Sequence, residues 1–212
     1  MHNPVTPPTA QPKTAKEALE KFTRIVPDFP KPGIVFEDLT PVLADPDCYR
    51  VLVHDLADAC RDAGADLIGG LDARGFLLGS AVAHELGVGV LAVRKGGKLP
   101  PPVHQVNYDL EYGSATLEIP ASGIPLDGKR IILIDDVLAT GGTLRASQEL
   151  LEKAGAHVVG LAVVLEVEGL HGRDKLRDLP LYVVAQGDSR SLAQLGVEPK
   201  ETASSATVSS HE

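Results

Sequence analysis

The stretch RIILIDDVLATGGT, residues 130–143, decides the fold of this chain. Its four apolar residues at 131–134 form a continuous run, which is typical of a strand that is covered on both faces of a parallel sheet. The glycine-rich turn leads into TLRASQELLEKAGA, which has helical periodicity, and then into the apolar run HVVGLAVVLEV. A strand, a helix and a strand of these lengths predict a right-handed crossover unit. Ligands bind at the carboxyl ends of such strands, where Asp135 and Asp136 stand.

The rest of the chain alternates in the same way between helical periodicity and short apolar runs, which predicts an α/β protein with a doubly wound parallel sheet. Predicted helices lie at 14–22, 45–64, 76–86 and 143–156, and predicted strands at 66–71, 88–93, 107–113, 115–119, 130–135 and 157–167. Prolines interrupt residues 27–45, which we expect to form an extended flap. A single domain is expected over 14–198, with disordered tails at 1–13 and 199–212 that are poor in large apolar residues.

Composition narrows the functional classes. The chain of 212 residues has 29 acidic and 20 basic side chains and a net charge of −9, which disfavours general nucleic-acid binding. No apolar run is long enough to span a membrane, and the N-terminus lacks the apolar core of a signal peptide, so a cytoplasmic protein is expected. Two cysteines predict buried thiols rather than a disulfide framework, and the histidines show no metal-binding spacing.

The ATGGT segment carries the strongest chemical signal. Two adjacent glycines let the backbone approach a ligand closely, and the amides at a helix N-terminus attract a phosphate. Thr140 and Thr143 add hydroxyl donors, whereas the upstream carboxylates must face sugar hydroxyls or a metal carried with the ligand. Taken singly, the acidic pair could merely end a strand and the glycines could merely form a turn. The chain has neither a P-loop nor a dinucleotide-binding fingerprint, so those two classes are disfavoured.

The stretch IILIDDVLATGGT resembles the ribose-phosphate signature of the type I phosphoribosyltransferases. Four further motifs, in the family's order between about Ile25 and Leu165, are similar to its adenine-specific members: FPKPGIVFEDLTPVL, DARGFLLG, VRKGGKLP and YDLEYGSATLEI. The resemblance implies a flap, a mobile loop and a reaction of adenine with 5-phosphoribosyl 1-pyrophosphate (PRPP) that gives AMP and pyrophosphate in purine salvage. It also implies Mg²⁺ carried by PRPP, with no metal site of the protein's own, and a homodimer with no nucleic-acid or membrane partner.

The resemblance further assigns roles to the matching positions. Binding of the ribose is assigned to Asp135 and Asp136. Binding of the 5'-phosphate is assigned to Ala139, Thr140, Gly141, Gly142 and Thr143. The pyrophosphate falls to Asp72, Ala73 and Arg74, with a cis peptide bond expected before Ala73. The region that binds the pyrophosphate leaving group and contains the flexible loop is assigned Arg94, Lys95 and Lys98. Catalytic proton handling is assigned to Glu111, with Tyr112 as its neighbour, although the residues alone do not separate Glu111 from Glu118. Recognition of the base is assigned to Val35, Phe36 and Glu37.

Two alternatives remain open. Glu37 stands where the family commonly has a basic residue, so a type I enzyme specific for xanthine, hypoxanthine or orotate is one of them. The other is a non-catalytic PRPP sensor that regulates transcription. Such a regulator is expected to carry a DNA-binding module or a basic face. The N-terminal 24 residues are too short for that module, and the net charge is −9.

Overall fold

The computed structural model describes residues 11–110 and 113–186. This part of the chain contains five α-helices and nine strands. The helices are α1 (Ala15–Phe22), α2 (Thr40–Ala44), α3 (Pro46–Arg61), α4 (Arg74–Leu86) and α5 (Gly142–Lys153). The strands are β1 (Arg24–Pro27), β2 (Val35–Asp38), β3 (Leu67–Leu71), β4 (Gly89–Lys95), β5 (Val103–Leu110), β6 (Gly113–Pro120), β7 (Arg130–Leu138), β8 (His157–Glu166) and β9 (Leu181–Val183).

Seven strands form the central sheet in the order β5-β6-β4-β3-β7-β8-β9. The five strands from β4 to β9 in this order run parallel, and the hairpin β5–β6 adds an antiparallel edge through β6 to β4. From β3 the chain winds outward to β4, whereas from β7 it winds the other way to β8. The point between β3 and β7 is therefore the topological switch point, where open α/β sheets bind their ligands.

Hydrophobic layers cover both faces of the sheet. Ile132 and Ile134 of β7 pack with α1, α3 and α4, whereas Ile131 and Leu133 pack with α5 and the β5–β6 hairpin. All four side chains have no exposed surface. The continuous apolar run is thus explained by a strand that is buried on both faces, and the predicted doubly wound α/β fold is confirmed.

The predicted helix boundaries follow their capping residues. The Thr14 hydroxyl accepts the Glu17 N–H at 3.1 Å, and the Asp45 carboxylate accepts the Asp47 and Cys48 N–H groups at 3.0 and 2.9 Å. Helix α4 ends at Leu86 and is capped by Gly87, which has the left-handed φ of 69° that favours glycine. The two cysteines of α3, Cys48 and Cys60, are buried free thiols, as predicted.

Four features differ from the sequence-based expectations or extend them. The proline-rich flap forms the two-stranded sheet β1–β2 and the short helix α2 instead of a wholly extended loop. Strand β7 continues three residues past Asp135, because β8 pairs with it as far as Leu138. Strand β5 begins at Val103, inside the predicted loop, and β9 was not predicted. None of the helices in the described part of the chain is both long and apolar enough to cross a membrane.

Candidate active site

Two motifs that are distant in sequence meet at the switch point. The turn after β3 carries Asp72 and Ala73, and α4 begins at Arg74. The Arg74 Nε atom lies 2.8 Å from Asp136 Oδ2 on β7. The Asp72–Ala73 peptide bond is cis, as the family resemblance implies. The predicted pyrophosphate and ribose residues therefore form one continuous surface.

Glycines bring α4 against the sheet so closely that this contact becomes possible. A Cβ atom on Gly75 would lie 2.6 Å from the Ile134 carbonyl oxygen and 3.1 Å from Asp135 Oδ1. A Cβ atom on Gly70 of β3 would lie 2.6 Å from the Gly75 carbonyl oxygen. Real side chains do not tolerate such distances, so the N-terminus of α4 reaches the acidic pair only because these positions lack side chains.

The two carboxylates of the acidic pair have different surroundings. Burial raises the pKa of Asp135 well above its ordinary value, and the neighbouring Asp136 charge raises it further. The Asp136 N–H donates to Asp135 Oδ1 at 2.9 Å, which partly opposes that rise. Asp136 is only 7% exposed and has Arg74 as its counter-charge, but no donor in the described structure is aligned with Asp136 Oδ2. This oxygen is buried, and its close neighbour is the Arg74 guanidinium.

The ATGGT segment forms a small concave site at the N-terminus of α5. A pocket of about 70 Å³ is lined by Asp135, Val137, Leu138, Ala139, Thr140, Gly141, Gly142, Thr143 and Leu144. Gly141 precedes the helix with a φ of 75°, and no acidic residue lies in the first helical turn. The free amides and the helix dipole therefore favour an anion here. Val137, which the sequence did not single out, lines the same pocket.

The cationic segment lies at the end of β4. Arg94 Nε lies 3.2 Å from Asp72 Oδ2, and the guanidinium stands 5.5 Å from the centre of the Phe76 ring. Lys95 lines a cavity of about 670 Å³ together with Gly96, Gly97, Gln105, Tyr108, Ser114, Ala115, Thr116, Glu118 and Thr143. Lys98 is exposed and is not among these lining residues. The ion pair therefore joins Arg94 to the Asp72 turn. Lys95 and Lys98 follow Arg94 in the same segment.

Glu118 of β6 is buried, with 7% of its surface exposed. Its Oε1 atom accepts the Gly97 N–H at 3.0 Å, so it ties the glycine-rich turn of the cationic segment to β6. Its Oε2 atom has no hydrogen-bond partner among the described residues. The sequence contains no signal for this contact. Glu111 and Tyr112, the predicted catalytic residues, lie outside the described residues.

The flap forms one wall of a third pocket, of about 380 Å³. Its lining residues are Arg24, Val26, Phe29, Phe36, Asp38, Thr40 and Arg74. The Phe36 ring packs edge-to-face on Phe29 with centroids 5.2 Å apart. Alternation along β2 places the exposed Val35 and Glu37 on the other face of the strand, away from this pocket. Of the three predicted base residues, only Phe36 contributes its side chain.

Comparisons with known proteins agree with this geometry. Residues 50–189 match the family model of the phosphoribosyl transferase domain. The chain is 73% identical over 175 residues to an adenine phosphoribosyltransferase of Corynebacterium jeikeium, covering 82% of this chain and 84% of that protein. It is 61% identical over 170 residues to the adenine phosphoribosyltransferase of Corynebacterium diphtheriae, covering 80% and 92%.

Solved structures show the same similarity. The adenine phosphoribosyltransferase from Thermoanaerobacter pseudethanolicus has a TM-score of 0.76 at 42% identity, with 80% of this chain and 98% of that chain covered. The Saccharomyces cerevisiae enzyme, complexed with adenine and an imino-altritol bisphosphate, has a TM-score of 0.75 at 37% identity, with the same coverage.

Proposed function

The chain belongs to the phosphoribosyl transferase domain family, and from this premise we propose how its residues transfer the 5-phosphoribosyl group of PRPP to adenine. The enzyme is an adenine phosphoribosyltransferase that forms AMP and pyrophosphate in purine salvage. The observation that carries the residue assignment is the contact between Arg74 and Asp136. It joins the turn proposed for pyrophosphate to the carboxylates proposed for ribose, next to the phosphate site at the start of α5.

In this proposal the reaction runs along the carboxyl edge of the sheet. The amides of Gly141 and Gly142 hold the 5'-phosphate, and Asp135 and Asp136 accept hydrogen bonds from the ribose hydroxyls. With the phosphate and the ribose fixed, the C1' atom faces the base pocket, where a ring nitrogen of adenine attacks as pyrophosphate departs from the opposite side. The configuration at C1' is inverted through an oxocarbenium-like transition state.

Charge stabilisation accounts for the positions of the cations. Negative charge accumulates on pyrophosphate as the glycosidic bond breaks, so cations fixed beside it stabilise the transition state more than the ground state. Arg74 and Arg94 flank the Asp72 turn and are held in place by carboxylates, whereas Lys95 and Lys98 project from the adjoining segment. Mg²⁺ would arrive bound to PRPP, and the Asp135 and Asp136 carboxylates would hold its hydration shell, because carboxylate oxygens accept hydrogen bonds from metal-bound water.

Base recognition relies on the flap in this proposal. The Phe36 ring lines the pocket and offers a face to a planar purine. Because Glu37 is on the opposite face of β2, its charge does not enter the pocket. Glu111 is proposed to handle the adenine proton, with Tyr112 beside it, on the family resemblance alone.

The experiment that tests this proposal offers five bases separately with PRPP and Mg²⁺: adenine, hypoxanthine, guanine, xanthine and orotate. We expect AMP to form far faster than any other nucleotide. Turnover of another base would overturn the adenine assignment while keeping the reaction class. PRPP binding without any turnover, together with salt-sensitive retention on a DNA column, would support the sensor alternative.

The same proposal includes a homodimer in the cytoplasm. Exposed apolar side chains on the flap and α4 support self-association, among them Ile25, Val35 and Leu77 at 57%, 63% and 54% exposure. Two buried free thiols suit a reducing compartment. Sedimentation velocity tests the assembly, and a monomer at micromolar concentration would contradict it.

A further inference from the structure

The turn that follows β8 lies directly behind the phosphate loop. This turn is a 3₁₀ segment, Gly172–Lys175, and Gly172 is buried where it contacts residues 139–141. A Cβ atom built on Gly141 would collide with the Gly172 carbonyl oxygen. A Cβ atom built on Gly172 would collide in turn with the Ala139 carbonyl oxygen. The two backbones therefore pack against each other with no side chain between them.

The two glycines are required for different reasons. Gly141 has a φ of 75°, so a side chain there is strained by the backbone as well as by its neighbours. Gly172 has no such conformation, and only space excludes a side chain, because its Cβ atom would also lie 2.8 Å from Leu138 Cδ1. Replacing Gly172 thus acts on the position of the phosphate loop without imposing an unfavourable φ.

The turn has independent anchors that keep it from yielding. Arg173 Nε lies 2.6 Å from Glu166 Oε2, and Arg173 Nη2 donates to Gln186 Oε1 at 2.6 Å. Leu176, at the end of the turn, is only 2% exposed. An added side chain at 172 therefore presses on residues 139–141, which line the phosphate pocket.

We propose that Gly172 is a positioning residue for the 5'-phosphate site, and that the turn 172–175 serves as its rigid backing. The inference rests on the proposed function, because it takes the 139–143 pocket as the phosphate site. Gly172 does not line the phosphate pocket. It acts by letting the Ala139 carbonyl lie against the turn, which directs the amides of the loop toward the anion.

Binding of AMP and adenosine to Gly172→Ala tests this role, because the two ligands differ only in the phosphate. We expect the Kd for AMP, measured by calorimetry, to rise about tenfold to a hundredfold, which corresponds to the loss of one charge-assisted hydrogen bond. The Kd for adenosine should stay within about twofold. Leu170→Ala, an exposed apolar change in the same loop, should leave both unchanged. Equal weakening of both ligands, or of neither, would overturn the proposal.

A second variant covers the case in which Gly172→Ala does not fold. Arg173→Ala releases the anchor without adding an atom, and it should weaken AMP several-fold with adenosine unchanged. Arg177→Ala removes the same charge from an exposed pair with Asp174 and should have no effect. If wild type binds AMP no better than adenosine, the proposed function fails. If wild type shows the AMP preference and Arg173→Ala keeps it undiminished, only the positioning role fails.

Discussion

Replacing Asp135 by Asn should make the protein more stable while it makes the enzyme less active. Asp135 is half-buried beside a second carboxylate, and both desolvation and that neighbour raise its pKa. A group whose pKa is raised in the folded state binds protons more tightly there than in the unfolded chain, so its ionised form opposes folding. The carboxylate is therefore present for a reason other than stability.

The magnitude follows from what Asn keeps and what it removes. Asn retains an Oδ1 atom for the Asp136 N–H, which donates to Asp135 at 2.9 Å. It removes the buried charge and its repulsion from Asp136, and it forfeits only the weaker attraction to Arg74, whose close contact is with Asp136. We expect the unfolding free energy at pH 7 to rise by about 1–2 kcal/mol, which is the usual size of the effect when a destabilised active site is relieved. That corresponds to an increase of about 2–8 °C in Tm for a domain of this size.

Urea denaturation at several pH values between 7 and 3.5 measures this gain. In the wild type, the ionised Asp135 destabilises the folded state, and this destabilisation disappears as the pH falls through the raised folded pKa. The stability difference between Asp135→Asn and wild type should therefore shrink over that range. The advantage should be absent once the pH is below the unfolded value of about 3.8. AMP formation should fall about tenfold, because a neutral amide accepts the ribose hydroxyls more weakly than a carboxylate.

Asp136→Asn is the matched control. It relieves the same repulsion but breaks the ion pair with Arg74, so we expect it to be no more stable than wild type at pH 7. The reasoning is refuted if Asp135→Asn destabilises the fold at pH 7. It is refuted equally if the gain persists unchanged at pH 3.5, or if both variants stabilise the protein to the same extent.

Four further predictions concern other positions. Gly75→Ala pushes α4 off β7 and should lower the unfolding free energy by about 1–3 kcal/mol in urea and reduce activity. Glu118→Ala frees the Gly97 N–H and should raise the KM for PRPP about threefold to tenfold, whereas Glu118→Gln keeps the acceptor and should not. Glu111→Gln should lower kcat by about a hundredfold or more with an unchanged KM for PRPP. Both cysteine thiols, whose pKa burial raises to about 12, should react with a disulfide reagent at pH 8 only after unfolding.

The elements that the sequence predicted well are those with local signals. Capping residues and stop glycines define α1, α3 and α4, and the continuous apolar runs define β3, β4, β7 and β8, because these signals act within a few residues. The flap sheet and β9 depend on pairing with distant strands. β9 has three residues and exists because β8 offers it a ladder, so nothing in LYV itself distinguishes it from a loop.

The candidate site shows the same division. The residue types at 72–74 and 135–143 indicated anion and sugar binding, but their proximity depends on the order of strands in the sheet. The outward direction of Glu37 follows from the register of β2 with β1, which no local pattern specifies. The role of Glu118 in holding the Gly97 turn likewise depends on pairing across three strands.

Both anion loops of this enzyme are placed by contacts between backbones rather than between side chains. Gly75 sets the start of α4 against the Ile134 carbonyl, and Gly141 with Gly172 sets the start of α5 against the turn behind it. Contacts of this kind leave little freedom, because a main-chain carbonyl moves only with its whole segment. In the proposed assignment, the amides that face the 5'-phosphate and the pyrophosphate of PRPP would therefore be oriented before the substrate arrives, which is the condition for strong electrostatic stabilisation. It follows that a methyl group at any of these glycines should cost substrate affinity and rate even though it removes no polar contact.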